Sequence, residues 1–358
     1  MLTEPVGIPD ELAPGADPDL TEHFEITGVR NNLILGRVRE PLREHVAALR
    51  RLLAGRGLIG WFSREKDGHS LLIGPAPRLT PARRWVNLLL FLLTVFTTLF
   101  VGALQLGRNP LANPLELVHG LPFSLSIILI LGSHELGHYF TARRLGVDAT
   151  LPYFLPVPHP LTGTMGAFIK MRSPVPDKSA LVRVGIAGPL VGFLIALPVT
   201  VIGLMLSRVV DTGPDTPGIS LGSSLVFHLL SWFRFGSMPE GRDVMLHPVA
   251  FAGWLGFFVT ALNLLPAGQL DGGHIAYAVA GRFRPAVGWV VIGALLLMGH
   301  FWLGWPFWAV LIALFGLRHP RPLDELTPLN RADRLLAVVA LVLLVLTFIP
   351  APFGAVRV

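Results

Sequence analysis

The chain has 358 residues, 52% of them hydrophobic and only 15% charged, with a mean hydropathy of +0.60. Ordinary soluble domains carry about 25% charged residues, so a purely soluble enzyme is a poor fit. Cysteine is absent, which removes disulfides, thiolate metal ligands and cysteine nucleophiles together, and the net charge of +6 is read as basic loops beside membrane spans rather than as a nucleic-acid surface.

Residues 1–24 hold six acids, no Lys or Arg, and Pro5, Pro9, Pro14 and Pro18, the composition of a flexible tail. The segment lacks the basic start and apolar core of a signal peptide and is too acidic for a plastid-type transit peptide. Residues 25–80 predict a small cytosolic α+β domain. Its elements are a strand at Leu33–Leu35, a helix over Glu40–Leu53 that ends at Gly55 and Gly57, and strands Leu58–Phe62 and Leu71–Ile73 joined at Lys66-Asp67-Gly68. The helix sets Val46, Leu49, Leu52 and Leu53 on one side. No catalytic cluster falls in this segment.

Apolar runs follow near 85–106, 121–142, 181–206, 248–265, 286–300, 302–317 and 334–349. The fifth and sixth are short and tightly joined, the pattern of a helical hairpin. The expected fold is an all-α polytopic membrane protein of about six to seven transmembrane helices with a re-entrant loop, preceded by the small soluble domain. Residues 81–320 would form its core, and residues 321–358 a linker and a last helix. With alternating spans and a cytosolic N-terminus, inside loops hold twelve Lys and Arg against five outside, which favours that orientation.

Three groups inside the apolar runs carry chemistry. The second run contains His134-Glu135-Leu136-Gly137-His138. Histidines at i and i+4 share one helical face, so two imidazoles can grip one metal ion, with Glu135 beside them to take a proton from water. The competing reading is two buried histidines that satisfy their neighbours. Ionisable groups are costly in a bilayer and default to function. A catalytic zinc takes three protein ligands and an open position, and without cysteine the third is a histidine or a carboxylate. No Glu lies between Glu135 and Glu240, and Glu240 falls in an outside loop. Asp148 and Asp177 sit among basic loop residues, where ion pairing explains them. Asp271 follows an apolar run, in Asn263-Leu264-Leu265-Pro266-Ala267-Gly268-Gln269-Leu270-Asp271-Gly272-Gly273-His274. A carboxylate there needs a partner. Pro266 and Gly268 break the helix, and Gly272 and Gly273 allow tight backbone approach. The expected topology brings Asp271 to the same depth as His134 and His138.

The HELGH motif, the downstream Asn263-x-x-Pro266-x-x-x-Leu270-Asp271-Gly272 and the absence of cysteine ligands resemble the site-2 protease family of intramembrane zinc metalloproteases. The resemblance covers roughly residues 80–320. Pro152–Pro156, Gly163–Phe168, Gly185-Ile186-Ala187-Gly188-Pro189, Arg318-His319-Pro320 and Asp324–Pro328 are similar to family segments too. The likeness runs closest to the subgroup of plastid and bacterial members without a PDZ domain, and the loop at 207–247 is too short to hold one. It implies one Zn2+ per chain held by His134, His138 and Asp271, with Glu135 as general base and then acid. Asn263 would bind substrate backbone or the oxyanion, with helix–helix hydrogen bonding as its plainer role. His274 is assigned to support around the ligands. His159, His228, His247 and His300 are assigned to structure.

A substrate helix hides its peptide bonds and must unwind. Residues 150–172, rich in Pro and Gly, are expected to re-enter the membrane and to pair with unwound substrate as an added strand. Gly166 and Phe168 are the substrate-binding residues of that segment. The function expected is an intramembrane zinc endopeptidase (regulated intramembrane proteolysis). Its partners are transmembrane segments of membrane-protein substrates and the lipid bilayer, with no nucleic acid. The setting is an integral membrane protein, with a prokaryotic plasma membrane favoured. A metal transporter or a non-catalytic membrane adaptor using the same polar residues is the alternative.

Overall fold

The computed structural model describes residues 18–354 apart from 78, 80, 82, 158, 160, 212–218, 240 and 316–318. Residues 1–17 of the expected tail, Glu240 and Arg318 lie outside the described residues.

The small N-terminal unit comprises α1 (Pro18–His23), β1 (Phe24–Arg30), β2 (Leu33–Val38), α2 (Leu42–Gly55), β3 (Leu58–Glu65) and β4 (Gly68–Pro75). Its strands form one antiparallel sheet in the order β1-β2-β4-β3. Helix α2 buries Val46, Leu49 and Leu53 in a core with Ile34, Phe62 and Leu71. Glu65 pairs with Gly68, so Lys66 and Asp67 alone make the turn. The flexible tail expected over 1–24 is corrected from Pro18 onward. Leu20 is buried in this core, and Phe24 begins a strand. In that strand Phe24 and Ile26 alternate with Glu25 and Thr27, the period-2 signal of a half-buried strand.

The remainder is mainly helical. In chain order it runs α3 (Arg84–Gln105), a 3-10 segment (Pro114–Gly120), α4 (Leu121–Arg144), β5 (Tyr153–Pro156), β6 (Thr164–Phe168) and α5 (Lys178–Leu206). Then come β7 (Arg208–Asp211), α6 (Leu225–Phe235), β8 (Arg242–Met245), α7 (Pro248–Leu264), α8 (Asp271–Ala280), α9 (Arg284–Met298), α10 (Gly304–Phe315) and α11 (Arg331–Thr347). Among the described residues, three segments are long and apolar enough to cross a membrane: α3, Pro114–Arg144, and α5. Helices α6, α7, α9 and α10 are apolar but shorter than the ~20 residues that a span normally takes. Trp85, Leu88, Leu89, Leu92, Leu93 and Phe96 of α3 are all exposed. An apolar face of that extent is unfavourable in water and natural in lipid.

Helices α4, α5 and α7 pack on one another around Ile127, Ile130, Phe193, Trp254 and Phe257. Helix α11 joins this bundle instead of standing apart beyond a linker. It contacts α5 and α7, and its fully buried Asp333 accepts a hydrogen bond from Arg183 Nε at 2.8 Å. The break after α7 falls at Pro266 and Gly268, as their backbone restrictions predict. The ten-residue α8 that follows is not among the expected elements, because its Gly-Gly-His start hides the helical pattern.

Strands β5 and β6 form a hairpin laid along α3. Asn87 Nδ2 donates to Leu151 O at 2.8 Å, Phe91 meets Phe154 edge-on at 5.2 Å, and Gln105 Nε2 donates to Leu161 O at 3.1 Å. From Asn87 to Gln105 the helix rises about 27 Å.

Candidate metal centre

Helix α4 presents His134, Glu135 and His138, all buried. The break after α7 turns the chain so that Asp271 opens α8 against α5. A side chain at Gly272 would strike the Leu264 carbonyl, so this tight turn needs glycine there. Three donor atoms converge. His134 Nε2 and His138 Nε2 are 3.2 Å apart, and Asp271 Oδ2 lies 3.3 Å from the first and 3.2 Å from the second. A tetrahedral zinc with bonds of about 2.0–2.1 Å spaces its ligand atoms about 3.3 Å apart. The two-imidazole, one-carboxylate triangle therefore fits zinc in both size and chemistry, and it leaves a fourth position open. Among the described residues it is the one group of three His or carboxylate side chains close enough to hold a metal ion.

Neighbouring groups aim these ligands. His138 Nδ1 lies 2.8 Å from the Val184 carbonyl of α5, which takes the ring proton and leaves Nε2 free as a ligand. The Ile169 backbone N–H, just past β6, faces the Glu135 carboxylate. Asn263 Nδ2 stands 3.3 Å from His134 Nε2, so the amide reaches the centre itself. Gly166 and Phe168 lie in β6. Gly166 takes φ +97°, and Phe168 is exposed and stacks on Tyr153 at 5.5 Å. The residue of this strand region that touches the site is Ile169, which the motif reading passed over.

The other candidates lie elsewhere. Asp148 pairs with Arg143 and Arg172. Asp177 caps α5 by accepting from Ala180 N–H at 2.8 Å. His274 is bonded to His319 rather than to the ligand group.

The room for the centre comes from α5. Gly185, Gly188 and Gly192 fall on one face at i, i+3 and i+7. A Cβ at Gly188 would overlap the His138 ring, one at Gly192 would lie 3.0 Å from His134 Nδ1, and one at Gly185 would lie 2.9 Å from the Asp271 carbonyl. Each glycine clears one of the three ligands. A spacing of small residues at Gly188-x-x-x-Gly192 signals close helix approach and is legible in the sequence, but its target is not. Gly188→Ala is expected to displace His138 and lower zinc affinity by at least about 100-fold, on the scale of losses around metal ligands. Competition with a chromogenic chelator measures this, and retained affinity would show that α4 can back away at no cost.

With this geometry in place, comparison with known proteins is informative. Residues 122–299 match peptidase family M50. The chain carries an M50 peptidase domain. That is the site-2 protease family to which the two motifs point, and the matched segment includes both of them. Among curated proteins, the chain is 31% identical over 301 residues to "Probable zinc metalloprotease EGY1, chloroplastic" of Arabidopsis thaliana, covering 75% of this chain and 54% of the relative. It is 32% identical over 292 residues to "Probable zinc metalloprotease EGY2, chloroplastic" of the same plant, covering 78% and 51%. "Probable zinc metalloprotease EGY3, chloroplastic" of Oryza sativa subsp. japonica is 28% identical over 354 residues, covering 89% and 60%. The chain spans about half the length of the curated relatives it matches. No solved structure matches it.

Proposed function

We propose that this M50 chain is an intramembrane zinc endopeptidase that hydrolyses peptide bonds within or near transmembrane helices of membrane-protein substrates. The observation that carries the reading is the zinc-sized triangle of His134 Nε2, His138 Nε2 and Asp271 Oδ2 with the Glu135 carboxylate on the same helix. Zinc bound there supplies a Lewis acid that polarises a peptide carbonyl and brings the pKa of water toward neutrality. Glu135 accepts the proton of the attacking water, whose oxygen bonds to the carbonyl carbon. It then delivers that proton to the leaving amine nitrogen as the C–N bond breaks. The Ile169 N–H faces the same carboxylate. Asn263 Nδ2, at the centre's edge, donates to the developing oxyanion.

The β5–β6 hairpin presents the substrate. Strand β6 pairs only with β5 among the described residues, so its other edge is open to an unwound substrate segment as an added strand. The hairpin's contacts along nearly all of α3 support a re-entrant path through the bilayer. Gly166→Pro forces φ near −65° where the chain takes +97°, so it is expected to abolish cleavage while zinc content stays at wild type. Phe168→Pro should do the same. Unaffected cleavage would remove the hairpin from substrate binding.

Shorter α7, α9, α10 and α11 bring the three long segments to six to seven crossings in this reading, with the N-terminal unit (25–80) cytosolic and the core over 81–320. The curated relatives named above are chloroplastic, so a prokaryotic plasma membrane finds no support among them, and the setting is given as an integral membrane. The test is a tagged reporter helix reconstituted with the chain in lipid vesicles. Cleavage that needs zinc and Glu135 supports the protease. Metal flux that survives Glu135→Gln without any cleavage favours the transporter, and a chain that holds no zinc after reloading favours the adaptor.

A further inference from the structure

Residues 319–327 touch three parts of the molecule at once. On one side this strap extends the small unit's sheet. Phe62 N–H of β3 donates to Leu323 O at 2.7 Å, and Glu325 N–H donates to Phe62 O at 3.0 Å, a parallel bridge at the sheet's free edge. Leu326 is buried in the small unit's core. On a second side the strap holds the segment before α5, with Leu323 N–H donating to Val175 O at 2.9 Å and Asp324 N–H to Pro176 O at 3.0 Å. On the third side it grips α8. The Glu325 carboxylate accepts from Tyr277 Oη and from Arg284 Nη1 at 3.4 Å, while its second oxygen accepts from Ser63 Oγ of β3 at 3.3 Å. The Arg284 guanidinium lies 4.1 Å over the Tyr277 ring. His319 bonds His274.

These contacts bear on the metal centre through α8. Asp271 is the first residue of that helix, and His274 and Tyr277 follow one turn and nearly two turns later. The helix begins directly after the Pro266–Leu270 break, so no continuous helix fixes its rotation from upstream. Its orientation is set by α5, α7, α9 and α11, which pack against it, and by the strap. A carboxylate offers about four acceptor sites, and Glu325 spends them on donors from two different units. Loss of one partner leaves the others under-satisfied. A ligand displaced by about 1 Å no longer serves its centre.

We propose that Glu325 and Tyr277 are positioning residues for Asp271, and that the strap is the route by which the small N-terminal unit acts on the metal centre. The unit docks its β3 edge on residues 323–325, and the same residues fix the helix that carries the third ligand. The significance for zinc rests on the metalloprotease reading above. The mechanical tie to α8 does not.

The test uses the full chain in detergent, with two readouts. Zinc affinity is measured by chelator competition, and amide hydrogen exchange is followed across 271–280. Glu325→Gln and Tyr277→Phe are each expected to weaken zinc affinity about tenfold, the lower end for groups behind a ligand, and to speed exchange in α8. The double variant should be no weaker than either single one by more than a factor of about two, because both remove the same tie. Leu326→Ala, which takes a strap side chain out of the small unit's core, should loosen α8 in the same way, whether or not that unit stays folded. Wild-type affinity and wild-type exchange in Glu325→Gln and Tyr277→Phe would overturn the positioning role. Unchanged α8 exchange in Leu326→Ala would overturn the coupling to the small unit. Wild-type protein that takes up no zinc would overturn the metalloprotease reading, and the exchange results would still decide the strap.

Discussion

Glu135→Gln is expected to keep close to one zinc per chain and to lose about 10³-fold in cleavage rate, or about 4 kcal/mol of barrier. The substitution keeps the size of the side chain and an oxygen facing the Ile169 N–H, so the β6 end of the hairpin keeps its neighbour. An amide cannot accept the proton of the attacking water or pass one to the leaving nitrogen, so the loss falls on the chemical step. The informative comparison is turnover at saturating reporter, with zinc content measured on the same sample. A drop in turnover with zinc and reporter binding intact assigns proton transfer to Glu135. Equal losses of zinc and rate would instead make Glu135 a support for the ligands. Unchanged turnover would leave the protease reading without its base.

Asp271→Ala should cost more than about 100-fold in zinc affinity, exceeding the usual loss for groups behind a ligand, and His134→Ala should do likewise. The physical reason differs between the two. His134 and His138 share α4, so removing one imidazole leaves a single side chain from that helix. Asp271 comes from α8, and its carboxylate is what joins the two helices across 3.2–3.3 Å contacts. Its loss leaves two histidines with no other His or carboxylate among the described residues close enough to complete the group. A second readout follows from linkage. Zinc at about 1,000 times its dissociation constant stabilises the chain that binds it by about 4 kcal/mol. The rise in melting temperature on adding zinc should therefore be present in wild type and absent in both variants. Wild-type zinc affinity in Asp271→Ala would place the third ligand elsewhere.

Much of the site was legible because its parts are short-range. His134, Glu135 and His138 occupy consecutive turns of one helix, so their spacing alone puts both imidazoles on one face. The helix break before Asp271 is written in Pro266 and Gly268, whose backbone limits act within a residue or two. The long apolar runs at α3, α4 and α5 declare themselves because a bilayer demands length and lack of charge over a continuous stretch. Strand β1 carries the alternation of a half-buried strand, but its acidic neighbourhood reads as a tail. Helix α8 is masked because glycines at its start weaken the local helical signal.

Other features could not be read from any single stretch. Residue types and their spacing are enough to pick out groups with the chemistry to bind a metal and move a proton, and segments apolar enough to leave water. Packing alone sets Gly185, Gly188 and Gly192 each against a different member of the His134–His138–Asp271 group, turns the Ile169 N–H toward Glu135, and lets Glu325 join Ser63 to Tyr277. Each of these is a contact between groups far apart in the chain. Local periodicity fixes the direction of a side chain from its own helix or strand, but the partner it meets depends on how the helices and strands pack.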